Sequence, residues 1–142
     1  MFKVLIPVDG SACSERAVSQ FITHTAWFRE TPEIHLLHVH ASLPIGRGQK
    51  HIDHETLERH YREEGEAQQA SAQALLNTAA LPFLPHMHVG QAAEAIVKLA
   101  RELACDIIFM GTHGRGALPA AVLGSAASKV PHLADRPVML AQ

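Results

Sequence analysis

The chain has 142 residues, 47% of them hydrophobic and 18% charged. That is the length of one domain and a globular composition, which excludes a disordered or collagenous chain. A net charge of −2 lacks the basic footprint of a general nucleic-acid binder, and no apolar run reaches the roughly 18 residues of a membrane span.

Lys3 to Val8 (KVLIPV) is short, apolar and β-branched, and Asp9-Gly10-Ser11 stops it, so it reads as a buried strand. Met1 to Gly10 therefore looks like a strand and turn rather than a signal peptide. Ser11 and Ser14 can cap a helix running to about Phe28, with Ala17, Val18, Phe21, Ile22, Thr25 and Phe28 on one face. Ile34 to His40 is a second strand. Pro44, Gly46 and Gly48 mark a loop over Ala41 to Ile52, which carries Arg47 and Lys50 and is a candidate lid. A long helix follows from Asp53 to about Ala80, with Glu55/Arg59 and Glu58/Arg62 spaced as i,i+4 pairs on a solvated face.

Leu84 to Val89 is the third strand, and Gln91 to Ala104 the third helix. Ala93, Ile96, Val97, Ala100 and Leu103 of that helix face inward. Asp106 to Met110 is the fourth strand, Ser125 to about Leu133 the fourth helix, and Pro137 to Ala141 the closing strand. Apolar strands alternating with amphipathic helices predict an α/β domain: a parallel sheet with helices on both faces. Ligands bind such sheets at the carboxyl ends of the strands, where the strand order reverses.

The two cysteines, Cys13 and Cys105, form no Cys-x-x-Cys pair and no metal spacing, as expected of reduced thiols in the cytoplasm. There are 11 histidines. His38 and His40 share one strand face, and His86 and His88 share another; if strands two and three pair, these sets would be neighbours able to bind zinc. No cysteine and no helix-spaced histidine pair supports that reading, and no metal ligands are assigned.

The segment with the most chemistry is GTHGRGALPAAVLGS, residues 111–125. Gly111, Gly114, Gly124 and Ser125 form G-x2-G-x9-G-S between a strand and a helix. Glycines let the backbone approach a ligand, and consecutive amides can form an anion nest. The amides and dipole of the helix opening at Gly124 and Ser125 favour a phosphate, and Arg115 adds a positive charge. The spacing is neither a P-loop nor the dinucleotide fingerprint.

At these residues the chain resembles the universal stress protein family. MGTHGRGALPAAVLGSAASKV looks like its nucleotide signature, and KVLIPVDGSACSERAV like its first strand and turn. His38-Val39, VGQAAEAIVKLA and PVML are similar to further family segments, and only Ser42 to Phe83 is weakly alike. The resemblance implies a Rossmann-like, adenine nucleotide alpha hydrolase-like fold whose five-stranded parallel sheet has order 3-2-1-4-5. It also implies an ATP site, with Mg²⁺. Pro7, Val8 and Asp9 would contact adenine and ribose. Val39 would line the adenine pocket, and Met110 and Gly111 would lie under ribose and base. Gly114, Arg115, Gly124, Ser125 and Ala126 would face the phosphates. Ala127 stands where ATP-binding members often have Ser or Thr, and Pro119 falls inside the spacer.

The implied role is a regulatory module of the stress response. It would be a homodimer joined through the closing strand and acting on an unidentified regulatory protein. With no Walker lysine and no clear general base, hydrolysis would be slow at most. The alternatives are a nucleotide-free dimeric interaction protein and a weak ATPase.

Overall fold

The structure is a computed structural model, and it describes residues 1–41, 54–113 and 123–142. Residues 42–53, which include most of the expected Ala41 to Ile52 loop with Arg47 and Lys50, lie outside the described residues, as do Gly114, Arg115 and Pro119. In chain order the elements are β1 (Lys3–Pro7), α1 (Ala12–Thr23), β2 (Glu33–His40), α2 (His54–Thr78) and β3 (Phe83–Val89). They continue with α3 (Ala92–Glu102), β4 (Ile107–Gly111), α4 (Ser125–Leu133) and β5 (Val138–Ala141). All neighbouring strands pair in parallel, in the order β3-β2-β1-β4-β5. Among the described residues no helix is long and apolar enough to cross a membrane.

Helices cover both faces of the sheet, as the alternation of elements predicts. On one face α1 and α2 bury Ala17, Val18, Phe21 and Leu76 against Val4, Ile6 and Leu36. On the other, α3 and α4 bury Ile96, Leu99 and Val130 against Leu5, Leu37 and Ile108. Alternate residues of β1 thus feed opposite cores, so its apolar run is unbroken.

Helix α1 is shorter than its apolar stripe suggests. It ends at Thr23, and a single 3-10 turn spans Thr25–Trp27. Side chains take over the last carbonyls there: Thr23 Oγ1 donates to Ser19 O at 3.0 Å and Thr25 Oγ1 to Ile22 O at 3.0 Å. Within α2 the i,i+4 contacts that the structure shows are His54 Nε2–Glu58 Oε1 at 2.9 Å and His60 Nε2–Glu64 Oε2 at 3.5 Å. These differ from the arginine pairs that charge spacing alone suggests, and all four side chains are solvent-exposed.

The register also separates the histidines. Leu37 pairs with His86 and Val39 with His88, while His38 pairs with Met87. His86 and His88 therefore lie on the α3 face, and His38 and His40 on the α2 face, so they do not form one cluster. His35 joins His86 instead, with Nδ1 2.9 Å from His86 Nε2. Burial, and then the imidazoles of His35 and His88, hold the His86 pKa below the usual histidine value.

Strand β3 is a sheet edge. Gly90 N–H donates to His40 O, so by the period of two the outward-facing amides of β3 belong to its odd-numbered residues. Pro85 sits at one of those positions and has no N–H to offer, which blunts the edge against pairing with another strand.

Helices α2 and α3 close in the same way. Leu81 N–H donates to Leu76 O at 2.9 Å, and Cys105 N–H to Ala100 O at 2.8 Å, both of the six-to-one Schellman type. The left-handed residues within these turns are alanines, Ala80 at φ 57° and Ala104 at φ 55°, and both are exposed. A Cβ is strained there and packs against little. Ala80→Gly and Ala104→Gly are each expected to raise unfolding free energy by about 0.5–1 kcal/mol in urea titrations, where an ordinary Ala→Gly change lowers it.

Candidate functional site

A cavity of about 600 Å³ opens at the carboxyl ends of β1, β2 and β4. Strand order reverses there: the connection leaving β1 runs to β2 on one side, and β4 pairs with β1 on the other. Pro7, Val8 and Asp9 enter the cavity from β1, Val39 from β2, and Met110 and Gly111 from β4. Gly124, Ser125 and Ala126 enter from the start of α4. Every site residue expected from the sequence that the structure describes thus lines one cavity. Gly114 and Arg115 lie outside the described residues.

Asp9 is fixed by the start of α1. Its Oδ1 accepts from Ser14 Oγ at 2.7 Å and from Ser11 N–H at 2.9 Å, while its own N–H donates to Ser14 Oγ at 3.0 Å. Ser11 is the helix N-cap, accepting from Ser14 N–H at 3.1 Å. Gly10 makes the tight turn at φ 80°; a Cβ there would lie 1.9 Å from Gln68 Oε1 of α2.

The two ends of the glycine-rich segment are clamped together. Gly124 N–H donates to Thr112 O at 2.7 Å, and Thr112 N–H to Ala141 O at 3.2 Å. These bonds set the N-terminus of α4 at the end of β4. Gly124 is the N-cap and brings no side chain, so the amides of the first turn and the positive end of the helix dipole are left for a ligand. Beside them, Gly111 lets α1 approach: a Cβ would come 3.0 Å from Cys13 Sγ and 3.2 Å from its carbonyl oxygen.

Sequence reasoning missed the wall contributed by α2. Tyr61 and Glu64 reach the cavity from that helix, beside His38 and His40 of β2. His40 Nδ1 is 3.6 Å from Glu64 Oε2, and its ring centroid is 5.0 Å from that of Tyr61. Gly65 is the signal that could have shown it, because it lets α2 sit close to β2 and β3: a Cβ would meet Met87 Sδ at 2.0 Å and His40 Nε2 at 3.1 Å, so those side chains would have to shift. From α3, Ile96 adds an apolar side chain. The cavity thus has an apolar middle at Val39, Ile96 and Met110, an anion-favouring end at α4, and a polar wall at α2.

The sequence profile of the universal stress protein family matches residues 1–142. The chain belongs to that family. The "universal stress protein in QAH/OAS sulfhydrylase 3′region" of Thermus aquaticus is 32% identical over 141 residues, covering 99% of this chain and 98% of that protein. Universal stress protein Slr1230 of Synechocystis is 27% identical over 137 residues and 96% of this chain, which spans only 41% of that longer protein. Among solved structures, MJ0577 superposes with a TM-score of 0.79 at 27% identity, over 99% of this chain and 95% of that one. Family structures solved with nucleotides share the fold. They include one from Archaeoglobus fulgidus with dAMP (TM-score 0.69, 19% identity, covering 100% and 98% of the two chains). Another is a complex with cAMP (0.73, 19%, covering 99% and 97%). A third is At3g01520 of Arabidopsis with AMP (0.67, 17%, covering 99% and 90%).

Ser14 joins helix start to cavity floor through one buried hydroxyl with two bonds to Asp9. Ser14→Ala is expected to cost about 1–3 kcal/mol of stability, more than the roughly 1 kcal/mol of the plain N-cap change Ser11→Ala, in parallel urea titrations.

Proposed function

We propose that this universal stress protein is a regulatory module that binds an adenine nucleotide, with ATP as its working ligand, at the carboxyl end of the sheet. The observation that carries the proposal is the coincidence of three features in one cavity: the reversal of strand order, the N-terminus of α4, and Gly111, Gly124 and Ser125 of the glycine-rich motif. Relatives solved with AMP, dAMP and cAMP support adenine as the base.

The donor set fits such a ligand. Val39, Met110 and Ile96 offer apolar surface for a flat ring. Pro7, Val8 and Asp9 line the cavity from β1 and would contact adenine and ribose, and the Asp9 carboxylate could join phosphate oxygens around Mg²⁺. The Ser125 hydroxyl and the first-turn amides of α4 would hold phosphate oxygens, with Gly114 and Arg115 completing that side. Ala127 provides no hydroxyl there. We assign no catalytic residue, and the reading is of a binder in which ATP occupancy sets a conformation for a regulatory protein partner.

The cytoplasm suits this role and its two free, buried thiols, Cys13 and Cys105. A homodimer would pair through β5, the sheet edge opposite the one that Pro85 blunts.

The test is the nucleotide content of freshly purified protein, denatured and resolved by ion exchange. About one adenine nucleotide per chain is expected, lost in Gly124→Val, whose side chain crowds the phosphate path; a thermal melt of the variant verifies that it is folded, at a somewhat lower midpoint because valine is a poor N-cap. Light scattering on the same preparation should give twice the chain mass of 15.4 kDa. ADP in place of ATP would mark turnover. No nucleotide, and no binding of added Mg-ATP by calorimetry, would overturn the proposal.

A further inference from the structure

We propose, resting on the adenine-nucleotide reading above, that His113 binds a phosphate of the ligand through its imidazole Nε2–H, and that Thr112 is the positioning residue that keeps the hydrogen there. Together they would let the cavity tell a nucleotide from the bare nucleoside.

Both residues follow β4 directly and line the cavity beside Gly124 and Ser125. Thr112 is 3% exposed, and its main chain is tied on both sides: its N–H donates to Ala141 O of β5, and its carbonyl accepts from Gly124 N–H at the start of α4. Its hydroxyl lies 2.9 Å from His113 Nδ1. The N–H of His113 in turn donates to Cys13 Sγ of α1 at 3.4 Å. His113 is thus held at both main chain and ring, one residue from the carbonyl that sets the first turn of α4. It is half-buried at the end of the cavity where the helix dipole favours an anion.

The identity of the ring's partner decides what the ring offers a ligand. A hydroxyl both donates and accepts. Towards a neutral imidazole, Thr112 Oγ1 donates to Nδ1, which leaves the ring hydrogen on Nε2. Towards an imidazolium it accepts from Nδ1–H, and Nε2 again carries a hydrogen. In both states Nε2–H is a donor for a phosphate oxygen. A carbonyl in that place would do the opposite, because it only accepts. It would fix the hydrogen of a neutral ring on Nδ1 and leave a lone pair on Nε2, as at His38, whose Nδ1 is 3.2 Å from Val8 O. A neutral imidazole also supplies its donor without setting a fixed charge against the positive end of the α4 dipole, so the empty cavity suffers no repulsion from it. When the ligand binds, a hydrogen bond to a charged phosphate is of the stronger kind.

The test uses the full chain freed of nucleotide, titrated with ATP by calorimetry, with proton–nitrogen spectra of the histidine rings as a second readout. In the ATP complex the His113 ring should carry its hydrogen on Nε2, and its nitrogen signals should move on addition of ATP and stay in place on addition of adenosine. His113→Phe keeps a flat ring without nitrogens and should bind ATP about tenfold more weakly. His113→Gln, whose amide can reach the place of Nε2, should recover part of that loss. Thr112→Val keeps the main-chain bonds and removes the hydroxyl; it should populate the Nδ1–H form of His113 and weaken ATP binding, and Thr112→Ser should bring back the parent's ring signal. Thermal melts verify that each variant is folded. Unchanged ATP affinity in His113→Phe, or a lone pair on Nε2 in the ATP complex, would overturn the roles of these two residues and leave the nucleotide reading standing. A parent protein that binds no nucleotide would overturn both.

Discussion

The rest of the molecule depends on the placement of β1 between β2 and β4. This strand is flanked on both edges by parallel hydrogen bonds, and it feeds Val4 and Ile6 to one core and Leu5 to the other. Because neighbours on either side return through different helices, the chain segments leaving β1 and β4 diverge above the sheet. The space between them is the cavity. Its position is a consequence of topology, and the residues at the strand ends inherit their roles from it.

Two local devices turn that space into a site. One is the turn after β1, where Asp9, Ser11 and Ser14 exchange hydrogen bonds and α1 begins. The same contacts that start a helix hold a carboxylate at the cavity floor. The other is the bond from Gly124 to Thr112, which returns the chain to the end of β4 and aims the first turn of α4 inward. On the proposed reading, fold stability and ligand recognition share these groups, so altering either device would affect both.

Much of this was legible in the sequence. Apolar runs bounded by Asp9-Gly10, Gly90 and Gly111 gave the strands within a residue or so, and alternation gave the sheet class. The sheet order and the division of the cavity residues came through resemblance, since strand order is a long-range property that local patterns do not encode. The α2 wall was less legible. Glu64 and Tyr61 sit in a charged stretch that reads as a solvated face, and only the packing permitted by Gly65 brings them to His40. The histidines show the same limit. Period two sorts residues within one strand, but the register between β2 and β3 decides that His35, rather than His38 or His40, meets His86. The end of α1 is not legible in the apolar stripe, which continues past Thr23, whereas the helix ends there and gives way to a 3-10 turn with side-chain bonds to the last carbonyls.

The most direct measurement of the central claim is a backbone amide chemical-shift map of the labelled protein as AMP, and then Mg-ATP, is added. The account predicts shifts concentrated at Val8 to Gly10, Val39 to Ala41, Gly111 to His113 and the first turn of α4. The Ser125 and Ala126 amides should move most between the two ligands, because the proposed site puts them at the phosphates. Shifts centred on the opposite end of the sheet, around Phe2 and Trp27, or no shifts at saturating nucleotide, would contradict it.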